Sequence, residues 1–106
     1  MTNKQAKRLS VDHWGRMLKL TVKDIRAGKE APYGENCAFC MMYVIPKRSC
    51  DGCPVMAKTG LEFCRGTPYY AAHRLYWATS SGSTGLIKQF RAAVRREIEF
   101  LESLEV

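Results

Sequence analysis

Val11, Trp14, Leu18, Val22 and Ile25 recur at spacings of three and four, which lays them along one side of an α-helix. The pattern predicts a helix over about residues 11–27, with Ser10 as N-cap and Gly28 as the left-handed residue that ends it. Arg16, Lys19, Lys23 and Arg26 share that periodicity on a face turned by about 120°, so the helix carries an apolar face and a basic stripe. A second helix is predicted from Thr67 as N-cap and Pro68 as first residue, running to about Thr79. A third covers about residues 86–104, where Ile87, Phe90, Val94, Ile98, Leu101 and Leu104 form the clearest apolar stripe in the chain.

Between these patterns the periodicity lapses. "KEAPYGEN" reads as a loop and "SSGSTG" as a turn. "MMYVI" fits either a short strand or the end of a helical turn begun at Asn36. "PVMAKTG" predicts one short helix, with Pro54 at its first position and Gly60 just past its end.

Charge changes this picture because it is segregated. The 106 residues carry a net charge of +7. Residues 1–29 hold eight Lys/Arg against two Asp, residues 30–66 balance at four and four, and residues 67–106 hold five against four. The positive field therefore belongs to the amino-terminal region. No stretch approaches the roughly 20 apolar residues needed to span a bilayer, and the polar, basic "MTNKQAKRLS" does not resemble a secretory signal. The expected setting is the cytosol, where thiols stay reduced. An odd count of five cysteines also argues against a closed disulfide framework.

Those cysteines are the main chemical signal. "CAFCMMYVIPKRSCDGCP" holds two C-x-x-C pairs with nine residues between them, and Cys64 follows in "FCRGTPYY". Two residues between cysteines let both sulfurs face one ion, and two such pairs complete the tetrahedron that zinc prefers. Zinc is the expected cofactor, in a structural role, with an iron–sulfur cluster as the minor alternative. Four of the five residues Cys37, Cys40, Cys50, Cys53 and Cys64 are the candidate ligands. The simplest set is the two pairs, with Cys64 able to replace one member, Cys50 first. His73 and His13 are the alternative ligands, although each reads more simply as an ordinary residue on a helix face. A thioredoxin-like redox pair needs a strand–helix–strand context that this chain lacks.

The run "CAFC…CDGCPV…TG…CRGTPY" resembles small proteins encoded by tailed bacteriophages, which share paired cysteines, a C-x-x-C-P and a C-x-x-T-P-Y turn. The resemblance covers residues 37–70 and implies a viral origin and a metal site. Its pattern includes all five cysteines, which brings Cys64 into the ligand question. It implies no activity.

Catalytic signatures are missing from the sequence. Zinc deaminases need H-x-E ahead of P-C-x-x-C, treble-clef nucleases need a histidine cluster, and neither occurs. A phosphate loop with its Lys and a G-x-S-x-G elbow are also absent. The expectation is therefore a binding protein, not an enzyme. Lys7, Arg8, Arg16, Lys19, Lys23 and Arg26, with Lys4, are the candidate nucleic-acid contacts, and Tyr69, Tyr70, Tyr76 and Trp77 the candidate stacking or core aromatics. The alternative is a protein-interaction module that modifies or inhibits a host protein without touching nucleic acid. The last helix places Glu97, Glu99, Glu102 and Glu105 toward the negative end of its dipole, which points to a packed neighbour or partner. Its apolar stripe also suggests a homodimer. The fold expected is mostly α, or a small α+β arrangement, with about three helices around a cysteine-rich zinc-knuckle centre. One domain spans residues 1–106: a basic helix (1–28), the metal-binding centre (29–66) and two carboxy-terminal helices (67–106).

Overall fold

Thr2 starts the first helix, eight residues earlier than the apolar pattern predicts. In the computed structural model, which describes residues 1–32, 38–44, 46, 48–61, 64–83 and 85–106, α1 spans Asn3–Leu18. The Thr2 side chain accepts from the Gln5 N–H while the Gln5 side chain accepts from the Thr2 N–H, a capping box that satisfies two otherwise orphaned donors. Ser10, expected as the cap, is instead buried in mid-helix.

The predicted single helix is also broken. Lys19 and Leu20 close α1 with tight bonds to Arg16 and Met17, and Thr21 then caps α2, Val22–Arg26, through a second capping box with Asp24. Arg91 donates to the Leu20 carbonyl at 3.2 Å and so occupies one acceptor that the break leaves open. Gly28, at φ +70°, ends α2 in the left-handed conformation expected of it.

Because α1 starts early and stops early, its buried face differs from the predicted one. Ala6, Ser10, His13, Trp14 and Met17 are buried, while Val11 and Leu18 lie half-buried at the edge. The core stripe is rotated by roughly 100° from the Val11–Leu18 edge.

The cysteine region contributes a π-helical turn, Cys40–Val44, and α3, Pro54–Thr59. Pro54 stands at the start of α3 and Gly60 (φ 72°) ends it, as the Pro–Gly spacing predicts. "MMYVI" therefore takes the helical alternative through Val44, and no strand occurs among the described residues. The mostly α expectation holds. Asn36, where the helical turn was expected to begin, lies outside the described residues.

α4 (Tyr69–Ser80) and α5 (Ile87–Glu102) complete the fold. α5 packs against both α1 and α4, and α2 lies on α4. Lys7 bonds near the end of α5 and Arg91 near the end of α1, so those two helices run antiparallel. Phe90, Ala93 and Val94 of α5, Met17 and Ala6 of α1, and Ala72 and Tyr76 of α4 are almost completely inaccessible. Alanine at Ala6, Ala72 and Ala93 lets the helix backbones approach, and Phe90 and Tyr76 fill the space between them.

Gly15 lies inside α1, and a Cβ built there meets nothing within 4 Å. Gly15→Ala should stabilise the protein by about 0.5–1 kcal/mol, because the unfolded chain loses freedom and no clash is added. An unchanged or lower denaturation midpoint would count against this geometry for α1.

Candidate metal centre and basic surface

Four cysteines from three separate stretches line one small cavity. Cys40 opens the π-helical turn, Cys50 and Cys53 flank a tight turn, and Cys64 begins the approach to α4. The cavity measures about 20 Å³, close to the space of one water-sized sphere. Phe39, Val44, Val55, Met56 and Leu61 supply the rest of its wall. Cys50 and Cys53 are buried and Cys40 and Cys64 half-buried, all four as thiols. Among the described residues no three His, Cys, Asp or Glu side chains already meet in metal-binding geometry. The four thiols share a cavity wall without converging on a point. Cys37, the remaining candidate, lies outside the described residues.

Local backbone chemistry explains how the motif aims its sulfurs. The Cys53 N–H donates to the Cys50 carbonyl at 2.9 Å, closing the C-D-G-C turn. Gly52 takes φ +87° there, and a Cβ at that residue would lie 3.3 Å from the Tyr43 ring, so glycine serves both conformation and space. Cys64 holds a left-handed φ of 60°, uncommon for a residue with a Cβ, and Gly66 follows at 75°. Thr67 secures this turn: its N–H and hydroxyl both donate to the Cys64 carbonyl, at 3.3 and 2.6 Å. The same hydroxyl accepts from the Tyr69 N–H at 3.3 Å, but the N-cap position falls on Pro68 without a side-chain cap, and α4 begins at Tyr69, one residue later than the predicted start at Pro68. Tyr69 in turn donates its hydroxyl to the Pro32 carbonyl at 2.6 Å. The C-R-G-T-P-Y string is thus one device that turns the chain, holds Cys64 and launches α4.

Neither histidine lines this cavity. His13 Nδ1 lies 2.9 Å from Glu30 Oε2, and burial, the largest influence, lowers its pKa despite that carboxylate. His73 Nε2 accepts from the Trp77 indole at 3.1 Å, and its ring packs against Tyr69. The aromatics of α4 belong mainly to the fold. Tyr76 is buried against Phe90, Tyr69 packs edge-on to Trp14, and Tyr70 is the most exposed of the four candidates.

The candidate cations divide into two groups. Lys7 donates to the Leu104 carbonyl at 2.9 Å, and Lys58 donates to the Ser103 side chain and carbonyl. These two cations sit at the carboxy-terminal end of α5, where the dipole and the late glutamates are negative. They are the packed neighbours that the charge placement called for. Arg26 donates to the Gly82 carbonyl, and Arg16 pairs with Glu30 at 3.0 Å while keeping a 59% exposed side chain. Lys4, Arg8, Lys19 and Lys23 are exposed and make no ion pair among the described residues. The helix break means that Arg16 and Lys19 do not continue into Lys23 and Arg26 on one helical face.

Sequence reasoning missed two acidic residues. Glu30 clasps His13 and Arg16. Glu97 is buried on α5 with only 4% exposure, and its Oε2 finds no hydrogen-bond partner among the described residues. Burial pushes its carboxyl up to about 7. Of the apolar stripe on α5, Phe90, Val94, Leu101 and Leu104 are buried inside the chain, and Ile87 and Ile98 are half-buried. No helix among the described residues is long and apolar enough to cross a membrane. No family model, curated protein or solved structure matches the chain.

Proposed function

We propose that this chain is a small zinc-stabilised binding protein of phage origin. In this reading it works in the host cytosol and holds nucleic acid, or a nucleic-acid-processing complex, through the basic side of α1, the turn after it and α2. The observation that carries the reading is the set of exposed cations that make no ion pair among the described residues, Lys4, Arg8, Lys19 and Lys23, on the segment that holds nearly all of the net positive charge. Solvated lysines and arginines that are not committed to carboxylates attract phosphates and release counterions when they meet them. Arg16, partly exposed beside Glu30, adds to this field. Lys7 and Arg26 also donate to backbone carbonyls at a helix end and a turn, so they stand behind the four others in the contact set. The zinc role is structural: four thiolates complete a tetrahedron and leave no open position for a substrate.

The test is binding to a generic DNA or RNA duplex across a salt series. Arg8→Ala, Lys19→Ala and Lys23→Ala combined should lower the slope of log affinity against log salt by about 2–3, near 0.9 per lost phosphate contact. Wild-type protein that ignores nucleic acid at low salt would end this reading. The protein-interaction module would then be the account to pursue.

A further inference from the structure

We propose that a shallow groove along the outer side of α1 seats one unpaired nucleic-acid strand, with Gly15 as the point where the strand comes closest to the helix. This rests on the nucleic-acid reading above and adds the form of nucleic acid and the point of contact. Two depressions, of about 410 and 480 Å³, lie end to end on α1 and share Val11 and Asp12. Lys4 and Arg8 border the first, Arg16 and Lys19 the second, and all four are exposed. Lys4 and Lys19 stand about 22 Å apart along the axis, at roughly 1.5 Å per residue. Stacked bases at about 3.4 Å each place roughly six nucleotides over that length. A basic groove that follows a backbone is how proteins hold single strands without reading sequence.

Gly15 has no use inside the chain that explains it. Glycine in mid-helix is destabilising relative to alanine. Its φ is not among the left-handed ones, and an added Cβ meets no described atom within 4 Å. Neither backbone conformation nor packing among the described residues therefore calls for glycine. It lines the second depression, where a missing side chain leaves the helix backbone open to a ligand.

The floor argues for an unpaired strand over a duplex. Val11 and, from α5, Ile98 are half-buried and line the second depression with hydrocarbon. A duplex would bring phosphates to the cations and leave that floor uncovered, because its base faces are stacked inside. Asp12 is exposed and would repel a phosphate. It suits the base edges of an unpaired strand, whose amino groups donate to carboxylates. Phosphates then follow the four cations while bases turn toward Val11, Asp12 and Ile98.

The experiment compares affinities, at one low salt concentration, for a labelled DNA of about 12 nucleotides, unpaired and as a duplex. Wild type should bind the unpaired form about tenfold more tightly, the scale of one base contact. Gly15→Leu keeps the charge, adds a strong helix former and fills the groove. It should bind unpaired DNA about tenfold more weakly than wild type, with a Tm no lower. If it does not fold, Gly15→Ala supplies the readout, with a smaller loss of affinity in the same direction. Gln89→Leu, an exposed change on α5, should bind as wild type. Both glycine variants binding as tightly as wild type, or a duplex bound as tightly as the unpaired strand, would overturn this proposal. The nucleic-acid reading would still stand if the combined Arg8, Lys19 and Lys23 variant lost its salt slope. Wild type that binds neither form would overturn both, and Gly15-sensitive binding of a synthetic acidic peptide would then assign the groove to a protein partner.

Discussion

Replacing Glu97 by Gln should stabilise the protein by about 3 kcal/mol above neutral pH and by almost nothing below pH 4.5. The carboxyl is buried on α5, and burial raises its pKa from 4.5 to about 7. The folded state therefore keeps a proton that the unfolded chain has already released. Stability from this group is fully present below about pH 4.5, falls as pH rises to about 7, and is flat beyond. A gap of about 2.5 pKa units corresponds to roughly 3 kcal/mol at 1.36 kcal/mol per unit. Gln removes the ionisation and with it the penalty. For a chain of this length that amounts to a rise in Tm of about 10 °C or more at pH 8.

His13 acts in the opposite direction. Its lowered pKa means that the unfolded chain gains a proton first as pH falls below 6.5, so His13 costs stability on the acid side. The difference between Glu97→Gln and wild type isolates the Glu97 contribution from this background. Urea midpoints at pH 4 and pH 8 measure it. A difference that does not grow between those two values would show that Glu97 is not buried as a carboxyl.

Glu97 also illustrates what the chain does not reveal by itself. Its position on an amphipathic helix, among Arg95, Arg96 and Glu99, reads as exterior. Only tertiary packing buries it, and α5 packs both on α4 and on α1, whose buried face includes Ala6, Ser10, His13 and Met17. Two polar residues in that stripe hide it from any hydropathy pattern. The start of α1 was legible in principle, because Thr2-x-x-Gln5 is a capping box, but the polar run behind it gave no apolar rhythm to attach it to. The break after Leu18 was masked in the opposite way. Val22 and Ile25 continue the spacing across it, while Thr21 and Asp24 mark the new helix.

Where rigid residues punctuate the chain, reading was direct. Pro54 and Gly60 bracket α3, Thr67 and Pro68 launch α4, and the stripe on α5 needs no tertiary information to be seen. The gathering of cysteines was legible as chemistry, but not as a particular set. Entry of Cys64 depends on the left-handed residues Cys64 and Gly66 and on two bonds from Thr67, none of which spacing encodes.

Stripping the proposed zinc with a strong chelator should unfold the centre and leave the helical bundle standing. Among its described residues the centre holds a five-residue π-helical turn and the six-residue α3, both far too short to hold helical structure alone. Among the described residues the Tyr43 hydroxyl donates to Asn3, Lys58 reaches Ser103 and lies over the Phe100 ring, and Phe39, Tyr43 and Val55 pack into the core shared with the bundle. Structural zinc sites contribute about 10–16 kcal/mol of apparent binding energy in small peptides, far more than such contacts supply. Met17, Tyr76, Phe90 and Val94 are the bundle's part of the one buried cluster, and none of them lines the cysteine cavity. Hydrogen exchange after metal removal should therefore show protection lost over residues 38–61 and retained in α1, α4 and α5. Nucleic-acid binding should then survive in part, because Arg8 and Lys19 lie on or beside α1. Undiminished protection over residues 38–61 in metal-free protein would mean that the thiols are core residues and hold no clamp. Loss of protection throughout would mean that the centre and the bundle fold as one cooperative unit, with Tyr43 and Lys58 carrying more of the coupling than their number suggests.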